Sequence, residues 1–153
     1  MEWIILFIVS WVLFLLLVKW KELRLNIWGG ILAVLYQLFV DTTSISHGLY
    51  KINNAVVNLW GSSLLFVFGP VFTVGVLLAQ LHPHKRFLRI LNVVVLTALY
   101  SLQELLLLIR GNVVYTNWSY TSSVFENITV MVALSWFAIV VLNKNKYFGN
   151  MSR

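Results

Sequence analysis

The 153 residues contain no cysteine. That excludes disulfides, thiolate metal sites and cysteine nucleophiles. Charge is scarce as well. Lys and Arg total 11 and Asp and Glu total 5, together 10% of the chain, where a soluble domain carries about a quarter. With 60% apolar residues, this excludes a disordered chain and an ordinary soluble enzyme. There is no phosphate-cradling glycine loop, no zinc-protease helix and no G-x-S-x-G nucleophile elbow. No lysine lies inside an apolar run to hold a retinal-like cofactor, so no cofactor is expected.

What is present is long apolar sequence. Crossing about 30 Å of hydrocarbon takes about 20 mostly apolar residues. Five stretches approach or exceed that length: 3–18, 25–40, 59–81, 87–109 and 124–142. They run continuously without alternating, so they predict helices and not barrel strands. The expectation is one all-α integral membrane domain, a bundle of five transmembrane helices whose main partner is the lipid bilayer. The first stretch follows Glu2 and is followed by Lys19, Trp20 and Lys21. A secretory signal has the opposite polarity, so an uncleaved helix is expected. The alternative is that this stretch is cleaved or peripheral, leaving four helices.

The net charge of +6 does not point to nucleic acid, because the basic residues sit in short loops between apolar runs. Lys19, Lys21 and Arg24 follow the first stretch. Lys85, Arg86 and Arg89 follow the third, and Lys144, Lys146 and Arg153 follow the fifth. The opposite loops hold only Lys51 and Arg110. Positive charge stays on the cytoplasmic side, which predicts the N-terminus outside and the C-terminus cytoplasmic in a cell membrane.

Polar residues inside apolar runs are costly and face the bundle interior. Thr97, Tyr100 and Glu104 share one helical face, and so do Gln37 and Asp41. Glu126 opens the fifth stretch from the same outer side. Asp41, Glu104 and Glu126 are therefore expected to meet at one depth, with Arg110 and Lys51 as the available cations. Two readings lead, beside a third in which the carboxylates form a catalytic or metal site, since paired carboxylates can do acid/base work. One is interhelical glue, in which the acids pair with Arg110, Tyr100 or loop amides. The other is an outward-facing polar pocket around Glu104 that binds a small solute, a proton or a partner. Tyr115, Trp118 and Tyr120 in the last outer loop read as an interfacial belt or as a recognition surface.

Pro70 falls mid-span and predicts a kink, with Gly61, Ser62, Gly69, Thr73 and Gly75 allowing close helix approach. His82 and His84 flank Pro83 but have no further ligand nearby in sequence, so no metal site is expected. Asn117 and Asn127 each begin an N-x-S/T sequon.

Glu104, Gly111, Tyr115 and Trp118 form an E-x6-G-x3-Y-x2-W run leaving a membrane helix. With Asp41, Gly48-Leu49-Tyr50 and Pro70, this resembles a family of small uncharacterised multi-pass membrane proteins of spore-forming Gram-positive bacteria, over roughly residues 28–118. The resemblance implies a bacterial membrane and a compact helical bundle, and it points to Asp41, Glu104, Tyr115 and Trp118. It implies no activity. The leading expectation is a non-enzymatic accessory, sensing or complex-forming component, partnered by another membrane protein or by its own copies. The alternatives are a small transporter or channel subunit, and a membrane-embedded enzyme acting on lipid.

Overall fold

The computed structural model describes residues 1–81 and 86–142. His82, Pro83, His84, Lys85, the side chain of Arg86 and the basic tail with Lys144, Lys146 and Arg153 lie outside the described residues.

The chain is mostly helical, as the apolar runs predict. Helix α1 is Glu2–Leu17, α2 is Leu23–Ser46, α3 is Leu64–Gln80, α4 is Arg86–Ile109 and α5 is Tyr120–Val140. A 3-10 turn, Trp20–Glu22, leads into α2, and there are four short strands among the described residues: β1 Tyr50–Ile52, β2 Asn58–Leu59, β3 Ser62–Ser63 and β4 Val113–Tyr115. Three helical segments are long and apolar enough to cross a membrane, Trp20–Ser46, Phe87–Ile109 and Tyr120–Val140, and α1 and α3 are shorter apolar helices. The outward faces of α1 and α4 carry exposed Ile8, Leu16, Leu99 and Leu106, as expected of side chains meeting lipid in place of water.

Three boundaries differ from the sequence expectation. Helix α2 continues six residues past Val40, so Asp41 lies within it. Ser and Thr are weak helix formers, but here they close the end. The Ser46 hydroxyl donates to the Thr43 carbonyl at 2.7 Å, and the Leu49 amide donates to Ser44 O at 2.9 Å. Helix α3 starts at Leu64 and not at residue 59, because Asn58–Ser63 folds back as the β2–β3 hairpin. Helix α5 begins at Tyr120, four residues early, where the Ser119 side chain caps it by accepting from Ser122 N at 3.1 Å.

Helix α3 is the spine. Pro70 sits in a π-helical stretch, Val67–Val71, the irregularity that a mid-helix proline without an N–H produces. A Cβ on Gly69 would meet the Phe7 backbone at 3.1 Å, so α1 passes close there. The tightest crossing is between α2 and α3. A Cβ on Gly75 would stand 2.6 Å from Ala33 Cβ and from the Gly29 carbonyl oxygen, and one on Gly30 would stand 2.6 Å from Val76. Gly29 and Gly30 are the partners that sequence reading overlooked. Gly61 and Ser62, expected on this helix, belong to the hairpin before it.

At the opposite end of the α1–α3 contact, Gln80 ties down the first turn. Its amide oxygen accepts from Lys19 N at 2.6 Å, and its NH2 donates to Leu17 O at 2.8 Å. These bonds satisfy backbone groups left open where α1 ends.

Candidate functional site

The end of the bundle that carries the strands also carries the carboxylates. Strands β1 and β4 come from two different interhelical segments and pair antiparallel, with Tyr50 opposite Tyr115, Lys51 opposite Val114 and Ile52 opposite Val113. Side chains directly opposite in such a ladder share a face. Tyr50 and Tyr115 therefore point the same way, with ring centroids 6.3 Å apart, down onto the helix ends.

Asp41, on α2, is 2% exposed. Its carboxylate accepts from Tyr50 Oη at 2.5 Å, from Gln37 Nε2 at 2.9 Å and from the Ser62 hydroxyl of β3. Glu104, on α4, accepts from Tyr115 Oη at 2.7 Å and from Asn127 Nδ2, on α5, at 3.0 Å. Tyr100 donates to Gln37 Oε1 at 3.0 Å and links α4 to α2. Each of these two acids is thus held by neutral donors from other elements. Buried polar groups are retained when their bonds are made, and this network closes its own.

Glu126 differs. It is half-buried on α5, and its carboxylate has no hydrogen-bond partner among the described residues. It lines the same cavity as Asp41 and Glu104, a space of about 50 Å³ that Tyr36, Tyr100 and Trp3 also border. No Lys, Arg or His is among the described residues that line it. By the volume one water needs, about 10–15 Å³ on this measure, the cavity holds a few waters and no drug-sized molecule. A smaller void of about 20 Å³ lies beneath it and shares Gln37, Tyr100 and Asn127. The rest of that void is bordered by Ala33, Val71, Val74, Met131 and Leu134 among others, so the polar lining ends at the Gln37–Tyr100–Asn127 level.

The strands are the cover. The Trp3 indole donates to Asn53 O at 2.9 Å, and Asn53 N donates to Asn112 O at 2.8 Å. Both bonds fix the β1 side to its neighbours. Burial first, and then the neighbouring Asp41 carboxylate, pushes the Tyr50 phenol well above the ordinary phenol range. Burial also pushes up the Tyr115 phenol, and its bond to Glu104 adds to this against a Ser123 bond that pulls the other way. Both phenols therefore stay protonated as donors.

Of the residues singled out in the sequence, Gln37, Asp41, Tyr100, Glu104, Tyr115 and Glu126 come together around this cavity. Trp118 stands one bond behind it, its indole donating to Ser123 Oγ at 2.7 Å. Arg110 does not join them. It follows the C-terminus of α4 with its side chain exposed and without an ion pair among the described residues, at a helix end whose free carbonyls already favour a cation. Lys51 is also exposed, because it alternates with the inward Tyr50 on its strand. Of the partners expected for the carboxylates, Arg110 takes no part, and tyrosine and amide donors hold Asp41 and Glu104.

Tyr115, Trp118 and Tyr120 are each partly exposed. Each turns its polar atom inward, Tyr120 onto Ser101 O at 3.0 Å. The Asn127 sequon is buried in α5, with its amide donating to Glu104 and to Ser101 Oγ, so it is no acceptor for a glycan. The sequence reading took Asn127 only as a sequon and Ser62 only as a small packing residue, and it did not single out Ser123. The spacing Ser123–Asn127 on the face beside Glu126 was the available signal, whereas Ser62 reaches Asp41 only through a hairpin that hydropathy conceals. Among the described residues no group of three or more His, Cys, Asp or Glu side chains is arranged to hold a metal ion.

Compared with known proteins, the chain matches no family model, no curated protein and no solved structure.

Proposed function

We propose that the chain is a multi-pass membrane protein with five crossings, its N-terminus outside and its C-terminus cytoplasmic, and that its outer chamber takes up one small cationic group. In this reading it is a non-enzymatic sensing or complex-forming component of a bacterial cell membrane. The occupied chamber alters how the β1–β4 cover sits on the helices.

The observation that carries this reading is the position of Glu126. Three carboxylates border one cavity of about 50 Å³ without a lining cation among the described residues, and Glu126 is the one without a hydrogen-bond partner there. A carboxylate held beside two others with no lining cation among the described residues gains most from a counter-charge. The size argues for an ammonium-sized group and against an organic ligand. The apolar walls beneath Gln37 and Tyr100 favour a closed chamber over a transport path.

The test is thermal unfolding of the detergent-solubilised protein in methylammonium chloride, with sodium chloride at equal ionic strength as the reference. Methylammonium raises the melting temperature saturably in the native protein and leaves Glu126→Gln unaffected. Equal responses of the two proteins would refute the proposal. Tetrabutylammonium, too large for the chamber, gives no specific shift.

A further inference from the structure

Outside the acid chamber, one segment combines backbone strain with exposed apolar surface. The β2–β3 hairpin turns on two residues, Trp60 and Gly61, with φ of 51° and 93°. This is the turn in which both central residues need positive φ, and Asn-Gly or Gly-Gly is its usual solution. A bulky residue in the left-handed region is disfavoured by its own Cβ. The chain nevertheless places a tryptophan there and leaves it 70% exposed, beside Val56 at 56% and Val57 at 46%. The indole itself has no hydrogen-bond or ring partner among the described residues.

The length of α3 says what lies around it. Its 17 residues reach about 25 Å at 1.5 Å per residue, against about 30 Å of hydrocarbon. Helix α1, which packs against it through Gly69 and Phe7, is no longer, at 16 residues. With α3 crossing the bilayer, the segment just before Leu64 falls at the boundary between acyl chains and headgroups in this sector of the bundle. The hairpin is prepared for that zone, because its backbone is paired. Leu59 pairs with Ser62, Leu64 N donates to Val57 O at 3.0 Å and Gly61 N donates to Asn58 Oδ1 at 2.8 Å. Unpaired amides would be costly to bring toward lipid. Gly61 also rests on Ile45, which a Cβ would meet at 3.1 Å, so the turn is seated on the end of α2.

We propose that the β2–β3 hairpin is an interfacial anchor, with Trp60, Val56 and Val57 inserted among the lipid headgroups and upper acyl carbons of the leaflet at that end. Tryptophan suits this zone because its ring is apolar and its N–H can meet a headgroup or water. The anchor lengthens a short span and holds the Ser62 end of the hairpin, and with it the Asp41 bond, at a fixed depth. The proposal rests on α3 crossing the bilayer.

The absence of cysteine makes single-site labelling direct. A spin label is placed at Val57→Cys in the otherwise native full chain, reconstituted in vesicles of phosphatidylglycerol and phosphatidylcholine. Collisions with oxygen and with a water-soluble nickel chelate are then compared. Lys51→Cys on β1 is the aqueous reference and Leu102→Cys on the outward face of α4 is the lipid reference. The anchor predicts a chelate-to-oxygen ratio at position 57 several-fold below that at position 51. It also predicts that adding Trp60→Asn, which suits the turn, moves the ratio toward the aqueous value. A ratio at 57 equal to that at 51 overturns the anchor while position 102 still reports lipid. A label at 57 shielded from both reagents also overturns it, in favour of a protein contact. An aqueous ratio at 102 overturns the membrane reading and the anchor together.

Discussion

Tyr50 and Tyr115 stand opposite one another in the β1–β4 register, and each lowers its hydroxyl onto a different helix carboxylate, Tyr50 onto Asp41 and Tyr115 onto Glu104. The small sheet is thereby latched to α2 at one side and α4 at the other. Removing either hydroxyl leaves a carboxylate short of a donor, buried at Asp41 and partly buried at Glu104. Tyr50→Phe and Tyr115→Phe are each expected to lose about 1–3 kcal/mol of stability. Detaching one strand loosens the other, so the double variant loses less than the sum, by about 0.5 kcal/mol or more. Denaturant unfolding in micelles measures all three.

The same latch sets an alkaline limit. Both phenols are pushed above the ordinary value by burial, so the folded protein holds their protons more tightly than the unfolded chain does. Their contribution is fully present below about pH 10, the unfolded value, and is lost as pH rises through the higher folded values. Stability is expected to fall above about pH 10 in the native protein and to fall less steeply in the Tyr50→Phe, Tyr115→Phe double variant. Melting temperatures across alkaline buffers read this difference.

Asn127 is a donor to Glu104 at 3.0 Å, in a place where a carboxylate would add a fourth acid to the chamber end. Asn127→Asp is expected to lose more than the roughly 1–3 kcal/mol of a missing donor near neutral pH, and to regain part of it as the pH falls. An Asn127→Ala control, lacking the added charge, shows no such recovery. The pH dependence of unfolding separates the two.

The α2–α3 crossing leaves no room for a side chain at Gly75, where a Cβ would stand 2.6 Å from both Ala33 Cβ and the Gly29 carbonyl oxygen. Gly75→Val forces the helices apart and is expected to cost about 3 kcal/mol, the upper part of the range for overpacking. Gly48→Ala, at φ 68° but with open space around it, costs about 1 kcal/mol through backbone strain alone. Thermal unfolding ranks the pair.

Much of the helical framework was legible in the sequence because a long apolar run leaves few alternatives to a helix. The convergence of Gln37, Asp41, Tyr100 and Glu104 was legible for a related reason, since residues three or four apart share a face wherever the helix lies. The cover was not. Tyr50 and Tyr115 are 65 positions apart, and a three-residue strand pair between two loops has no periodicity to detect. The neutral character of the acid network was hidden as well. Charge counting nominates Arg110, whereas a buried carboxylate is equally satisfied by hydroxyl and amide donors that hydropathy does not weigh. The hairpin at Asn58–Ser63 was concealed because its residues continue the apolar run that becomes α3, and only Trp60-Gly61 marks the reversal.

The distinction between Glu126 and its two partnered neighbours is the claim on which the functional reading stands. Infrared difference spectra of the carboxyl groups, recorded as methylammonium is added to the protein in vesicles, test it most directly. The account predicts a change in carboxyl absorption that saturates, disappears in Glu126→Gln and survives in Tyr115→Phe. A change that persists in Glu126→Gln, or its absence from the native protein, would contradict it.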